Sequence, residues 1–377
     1  MQDTKTVVEA AKKLIGEGNS KEALKLLKPF KKNLKSNDLE LIQVFADAYL
    51  DESNVEKAYP LLTRCCEMDP QGLKGGSEKF FTLGQITGGQ DGVNILFQGI
   101  TNVSQEAGDV ITKEQTDKIV KGLLSMIEIW MTDLCMEPNA EMQCEELIQK
   151  ALEISDNKSP EALSMLGSIR ISQQRFPEAS NAFLEAWKNF ELKKQDIEEN
   201  LQEASLSSHK EYIELLQPLL SLVKMCIEMG LYEVSLKIIS AIKDIEEDNL
   251  ENYYLEGFCY YLLCKLEMFK SHNPEVAITA ENIYEFNEHF EEVVIDLTYP
   301  ALTDFIHEAR IAFSFAAKSG ESCDPDDEIA QELYSGSLRL LEILGGPIDD
   351  SELLRLKKGE NVEEADLQIE IEEDTNE

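Results

Sequence analysis

The sequence is poor in positive charge. Its 377 residues contain 35 Lys and Arg against 73 Asp and Glu, a formal net charge of -38. A field of that sign repels nucleic acid and draws in basic partners, in a salt-dependent way. Long apolar runs are also missing. The longest fall far below the roughly 20 residues needed to cross a bilayer, so no membrane span is expected. The start, Met1 to Ala10, has neither a basic stretch nor an apolar segment with a small-residue cleavage site, so no secretory signal is expected. Histidine is scarce: His209, His272, His289 and His307 lie far apart and outside any HExxH spacing. The eight cysteines form no CxxC pair and no framework spacing, although Cys65 and Cys66 are vicinal. A zinc site is therefore not expected, and a reducing compartment is, with Cys65 and Cys144 at buried helix positions. Gly84, Gly88, Gly89 and Gly92 lack the Lys-Ser/Thr ending of a phosphate loop and read as the turn between two helices. Acidic pairs occur throughout so acidic a chain and single out no general acid or base. Nothing in the sequence asks for an enzyme, a cofactor or a metal.

What is present is a repeat. With Pro160 as position 1 of a 34-residue unit, Leu163, Leu166 and Gly167 fall at 4, 7 and 8, and Phe176 at 17. Ala179, Phe183 and Ala186 follow at 20, 24 and 27. This is the tetratricopeptide (TPR) pattern, a helix–turn–helix whose small residues mark the closest approach of two backbones. Position 32 is Glu191 rather than proline, which predicts a second helix that runs on. Val7, Ala10, Ala11, Gly18, Ala23 and Leu27 repeat the pattern from Met1; Phe45, Ala46, Tyr49, Ala58, Leu62 and Pro70 repeat it next. Ala23 to Ala58 and Cys144 to Ala179 are each 35 residues. Looser units follow around Phe80, Leu83 and Gly84 with Leu96 and Ile100, and around Met126, Trp130 and Leu134 with Cys144, Ile148 and Ala151. A sixth carries Leu219, Leu222, Gly230, Tyr232, Ser235 and Ile239; a seventh begins at Tyr253, Gly257 and Tyr260 and leaves the register.

The predicted fold is therefore all-α, a TPR-type α-solenoid of about seven degenerate repeats over residues 1–345. A polar connector is expected over Val103–Ile119 and a charged insert near 193–218. From 252 the predicted helices lengthen (Asn252–Ser271, Glu275–Leu297, Tyr299–Lys318), and 327–344, with Ile329, Leu333, Leu338 and Leu341, is expected to cap the array. Residues 346–377 are expected to be an acidic disordered tail. Glu360 to Glu377 alone hold nine acids and no base, so about -29 remains on the rest of the chain.

Stacked first helices of such repeats line a concave groove. Reading positions 2, 5, 9, 12 and 13 places Asp47, Asp51, Phe81, Asp133, Glu137 and Glu228 there, then Tyr254, Phe258 and Tyr261 with Glu251 beside them. Carboxylates interleaved with rings suit an extended segment rich in Lys and Arg. The Lys and Asn set that clamps the C-terminal carboxylate of large heat-shock chaperones is absent: Val8, Lys12 and Asp47 occupy those places. Lys28, Lys31, Lys32 and Lys35 read as a helix face rather than a basic import signal.

An acidic single-array TPR chain of this length, with Leu83-Gly84 opening a weak unit, an insert after Ala186-Trp187 and an acidic C-terminus, resembles the fungal family of dedicated assembly chaperones for large-subunit ribosomal protein L-four. That resemblance implies a non-enzymatic escort, monomeric and 1:1 with its cargo, which holds the basic protein by an extended internal loop. It would contact neither nucleic acid nor membrane, and would carry the cargo from cytoplasm to nucleus. The other reading open at this point is a TPR adaptor of a multiprotein complex unrelated to the ribosome.

Overall fold

The computed structural model describes residues 4–35, 37–108, 110–201 and 206–358; the acidic segment from 360 lies outside them. Regular structure among the described residues is wholly helical, and the chain divides into two compact units, Met1–Met165 and Leu166–Glu377.

The first unit stacks helices in sequence order: α1 (Thr4–Gly16), α2 (Ser20–Leu27), a 3-10 helix (Lys28–Lys35), α3 (Leu39–Asp51), α4 (Val55–Met68), α5 (Glu78–Thr87), α6 (Gly89–Ala107), α7 (Lys113–Met131) and α8 (Ala140–Ile154). The repeat residues are its core. Val7, Ala11, Ala23, Leu27, Phe45, Ala46, Ala58 and Leu62 form one buried cluster. The thiols of Cys65 and Cys144 are buried as expected, and burial pushes both up to about 11. Between α5 and α6 the glycines serve two purposes. A Cβ on Gly84 would meet Leu96 and the Gly92 carbonyl of the facing helix, while Gly88 and Gly89, at φ 64° and 54°, make the turn. The connector expected over 103–119 is shorter, because α6 continues to Ala107 and a Thr112–Gln115 capping box starts α7 directly.

The α4–α5 connection turns on a buried charge pair. The Asp69 carboxylate accepts from Lys79 Nζ (2.8 Å), Gly75 N (2.9 Å) and Lys74 N (3.1 Å). Burial alone would raise the Asp69 pKa; the Lys79 hydrogen bond and the two backbone N–H groups outweigh it and hold the carboxyl below its usual range.

The TPR signature unit is α9 (Pro160–Ser172) and α10 (Phe176–Leu201); most of α9 belongs to the second unit. The Phe183 ring lies where a Cβ on Gly167 would stand, and α10 runs on to Leu201 as the missing proline predicted. Then come α11 (Leu206–Glu214), α12 (Leu216–Glu228), α13 (Tyr232–Ile245), α14 (Leu250–His272), α15 (Ile283–His289), α16 (Thr303–Gly320), α17 (Glu328–Ile343) and α18 (Asp350–Lys357). Helix α14 is the centre of this end. It starts on an Asn249 cap and is buried on several faces, through Asn252, Tyr253, Leu255, Gly257, Cys259, Tyr261, Leu262 and Cys264. A helix enclosed on many sides shows no single stripe, which is why the repeat register fades here.

Three expectations are corrected. Residues 275–297 are not one helix: only Ile283–His289 is α-helical. The Asn282 side chain accepts from Thr279 N (2.7 Å) and donates to the Ala277 carbonyl (2.8 Å), local bonds that compete with a helix, and Val293-Val294-Ile295 disfavours one further. On α17 the inward face is Ala330, Ser337, Leu340 and Leu341, whereas Ile329 and Leu338 are exposed; the expected stripe holds only at Leu341 and the half-buried Leu333. Nor does the packed chain stop at 345. Arg310 donates to the carbonyls of Gly346 (2.8 Å) and Pro347 (3.1 Å), Ile348 N donates to Ser314 Oγ (3.0 Å), and α18 buries Leu353. Lys357 pairs with Asp248 at 2.6 Å.

Two outcomes follow. A chain ending at Gly346 loses the burial of Ile348 and Leu353 and unfolds at lower temperature, by about 3 kcal/mol in stability, whereas a chain ending at Lys358 keeps these contacts; circular-dichroism melting of the two compares them. Lys79→Met leaves Asp69 buried without its cation and costs about 3–5 kcal/mol in denaturant unfolding. Asp69→Asn/Lys79→Met, which removes both charges, recovers part of that loss.

Candidate protein-binding site

The expected groove residues fall into three groups. Asp47 and Asp51 lie one turn apart on α3. Asp51 is exposed and accepts from Ser20 Oγ at 2.7 Å. Asp47 is half-buried with a pKa pushed up to about 6, first by burial and then by Asp51, against the pull of Lys12. This is a carboxylate with too little positive charge beside it.

Phe81, Asp133 and Glu137 are elsewhere. Phe81 is buried on α5, its ring against Gly99 of α6 and Gly122 of α7, so it fills the seam between helices and does not face a groove. Helix α7 ends at Met131, which leaves Asp133 and Glu137 in the exposed turn before α8 rather than on a helix face. Asp133 accepts from Gly89 N at 2.8 Å, so its carboxylate closes the N-terminus of α6.

The remaining five come together in the second unit. Tyr254, Phe258 and Tyr261 form a row on α14, with ring centroids 6.1 Å and 6.2 Å apart. Tyr254 also meets Phe313 edge-on at 5.8 Å, and Tyr261 is buried with Lys265 Nζ 5.2 Å from its ring centre. Of the three, Phe258 opens onto a cleft. That cleft, about 270 Å³, lies between α12, α14 and the segment after α15, and is walled by Ile227, Leu255, Phe258, Leu262 and Phe290. Its polar edge is Lys224, Glu228 and Asn287. Glu228 accepts from Tyr284 Oη (2.9 Å), and its carbonyl accepts from Asn287 Nδ2 (2.8 Å). Lys224 is neutralised by Glu251 at 2.5 Å. The arrangement suits a side chain with an apolar stem and a cationic head: the stem on Phe258 and Leu262, the head at Glu228.

Sequence reasoning missed the aliphatic walls and Phe290. Ile227 sits next to Glu228, and Leu255 and Leu262 lie one residue from Tyr254 and Tyr261, so a reading of whole helix faces would have found them. Phe290 follows the irregular segment and had no periodic signal. A larger open cleft at the start of α3, bordered by Lys5, Asp38, Glu40 and Lys74, contains none of the expected residues. Among the described residues no group of His, Cys, Asp and Glu could hold a metal, and no helix is long and apolar enough to cross a membrane.

Residues 248–369 match the family model of the ACL4 C-terminal domain, which begins just before α14, where the TPR register is lost. Across 368 residues the chain is 26% identical to a probable assembly chaperone of rpl4 from Schizosaccharomyces pombe, covering 96% of this chain and 97% of that relative. The resemblance is to the assembly chaperones of rpl4. A protein of the same description from Emericella nidulans is 25% identical over 279 residues, covering 70% of this chain and 66% of its own. Among solved structures, residues 1–338 of the assembly chaperone of RpL4 (Acl4) superpose with a TM-score of 0.53 at 23% identity, covering 71% of this chain and 99% of that one. That superposition confirms the all-α, TPR-like fold class.

Asp47 supplies a prediction. Its folded pKa is raised above the unfolded value, so the stability it contributes is complete below about pH 4 and is lost as pH climbs through about 6. Asp47→Asn removes that loss. It stabilises the protein at pH 7 by about 1–3 kcal/mol with little change at pH 4, measured by denaturant unfolding at the two pH values.

Proposed function

We propose that this protein is a dedicated assembly chaperone of ribosomal protein L-four, a binding protein rather than an enzyme. The observation that carries the reading is the match along 96% of the chain to a probable assembly chaperone of rpl4. The physical case runs parallel. A chain with a net charge of -38 is suited to hold a strongly basic, newly made protein and to keep it from nucleic acid.

The cargo is taken 1:1 by its extended basic loop, without contact to RNA or membrane. The chaperone receives it in the cytoplasm and gives it up on the pre-60S particle in the nucleus. Two acidic stations support this mode: Asp47 with Asp51, and the Phe258 cleft with Glu228, where Glu251 offsets the charge of Lys224. At the first, an incoming Lys or Arg supplies the counter-charge that Asp47 lacks, so binding near pH 6 releases protons. Affinity capture at low salt followed by mass spectrometry tests the function directly. A single stoichiometric basic ribosomal protein supports it; several non-ribosomal subunits would instead identify a TPR adaptor.

Neutralising Asp47, Asp51, Glu228 and Glu251 together weakens binding of a basic loop peptide by about 1–3 kcal/mol and flattens its salt dependence. Asp133 is left out of this set because it closes α6. Phe258→Ala weakens binding with an unchanged salt slope, since the ring contributes apolar area. Dissociation constants at three salt concentrations separate the two behaviours, and unchanged affinity in the fourfold variant places the cargo elsewhere.

A further inference from the structure

The 3-10 helix Lys28–Lys35 reverses the charge of the molecule around it. Residues 21–37 hold six lysines and one glutamate in a chain where acids outnumber bases two to one. Several lysines elsewhere pair with acids, as Lys13 does with Glu17, Lys118 with Glu114 and Glu78, and Lys243 with Glu256; at the start of this stretch Lys25 pairs with Glu22. Lys28, Lys31 and Lys32 are exposed, and none has a carboxylate within bridging distance among the described residues. The same holds for Lys57, which joins them from α4. Lys31 and Lys57 lie 5.9 Å and 5.5 Å from the centre of the Tyr49 ring, so that one ring of α3 takes both ammonium groups.

The element carrying these lysines is fixed in place. Phe30 and Leu34 pack against the core of the first unit. Arg64 of α4 donates to the Leu34 carbonyl and to Asn37 Oδ1. A 3-10 helix rises about 2 Å per residue with three residues per turn, so Lys28 and Lys31 line up about 6 Å apart on one edge. Alternate side chains of an extended strand are about 6.6 Å apart.

We propose that this lysine face docks an extended acidic segment of another protein, with carboxylates at alternate residues meeting Lys28, Lys31, Lys32 and Lys57. The strand spacing matches that of Lys28 and Lys31, Lys32 and Lys57 adding positive charge to the same stretch of the surface, and a fixed element loses little entropy when it pairs. A peptide fits better than RNA. A polyphosphate chain is charged at every unit and would run beyond the four lysines into the field of a chain with net charge -38, whereas a short segment engages within a Debye length of about 8 Å. The face is distinct from the stations assigned to basic cargo.

The test uses the full-length chain and two labelled probes, a twelve-residue alternating Glu-Thr peptide and a twelve-nucleotide oligouridine. The peptide is expected to bind, and Lys28→Gln/Lys31→Gln/Lys32→Gln/Lys57→Gln to weaken it at least about tenfold. Helical circular dichroism and affinity for a basic loop peptide should stay unchanged. Lys28→Gln/Lys32→Gln, which leaves both Tyr49 contacts alone, should give an intermediate loss and stands in if the fourfold variant is unstable. Equal peptide binding by wild type and variant, or no binding at all, overturns the proposal. Tighter binding of oligouridine than of the peptide overturns it in favour of RNA.

Discussion

The distance between paired helices is the constraint on which the rest depends. Where Phe183 lies over Gly167, Phe313 over Gly257, and Leu96 with the Gly92 backbone against Gly84, two helices approach until no side chain fits between them. Each such crossing fixes a pair, and each pair offers its neighbour a ready apolar face. Substitution there is costly because the obstacle is a ring or a backbone that is itself held by packing. The crossing of Phe313 over Gly257, between α14 and α16, shows that the same device continues past the point where the repeat pattern is no longer legible.

Charge is arranged around this frame by exclusion. The interior admits few ionised groups, and those it does admit are tied down: Asp69 by Lys79 and two backbone donors, and Lys265 by the Val293 carbonyl and the Tyr261 ring. Desolvation opposes charge on Lys265 and lowers its pKa, with Glu291 pulling the other way. The excess acid is therefore displayed outward, where it sets the long-range field and the choice of partner rather than the fold. Asp47 stands between the two classes, too buried to be solvated and too poorly paired to be comfortable.

What the sequence made legible follows the same logic. Small residues at fixed spacing mark helix crossings, and Gly84, Gly167, Ala58 and Ala179 are all buried or in close contact as expected. Burial, however, does not tell a groove from a seam: Phe81 satisfies both patterns and fills the seam. Asp133 was misplaced because α7 ends three residues before Leu134, at a point where no strong stop signal stands. The stretch after Pro274 was misread because Asn282 binds its own backbone, a competition that apolar periodicity does not register. Of the residues lining the Phe258 cleft, Glu228 and Phe258 were legible because both rest on regular helices. Phe290 and Asn287 reach the same cleft from a short helix and its end.

The two tryptophans divide between the two units. Trp130 is buried on α7 of the first and Trp187 on α10 of the second, and the buried Trp130 Nε1 has no hydrogen-bond partner among the described residues. Each unit thus carries one optical probe of its own interior. Repeat arrays need not melt in a single step, since each element rests mainly on its neighbours. With one indole replaced at a time, the emission of the other follows the opening of its own half, so the cooperativity between the halves is accessible without adding a label.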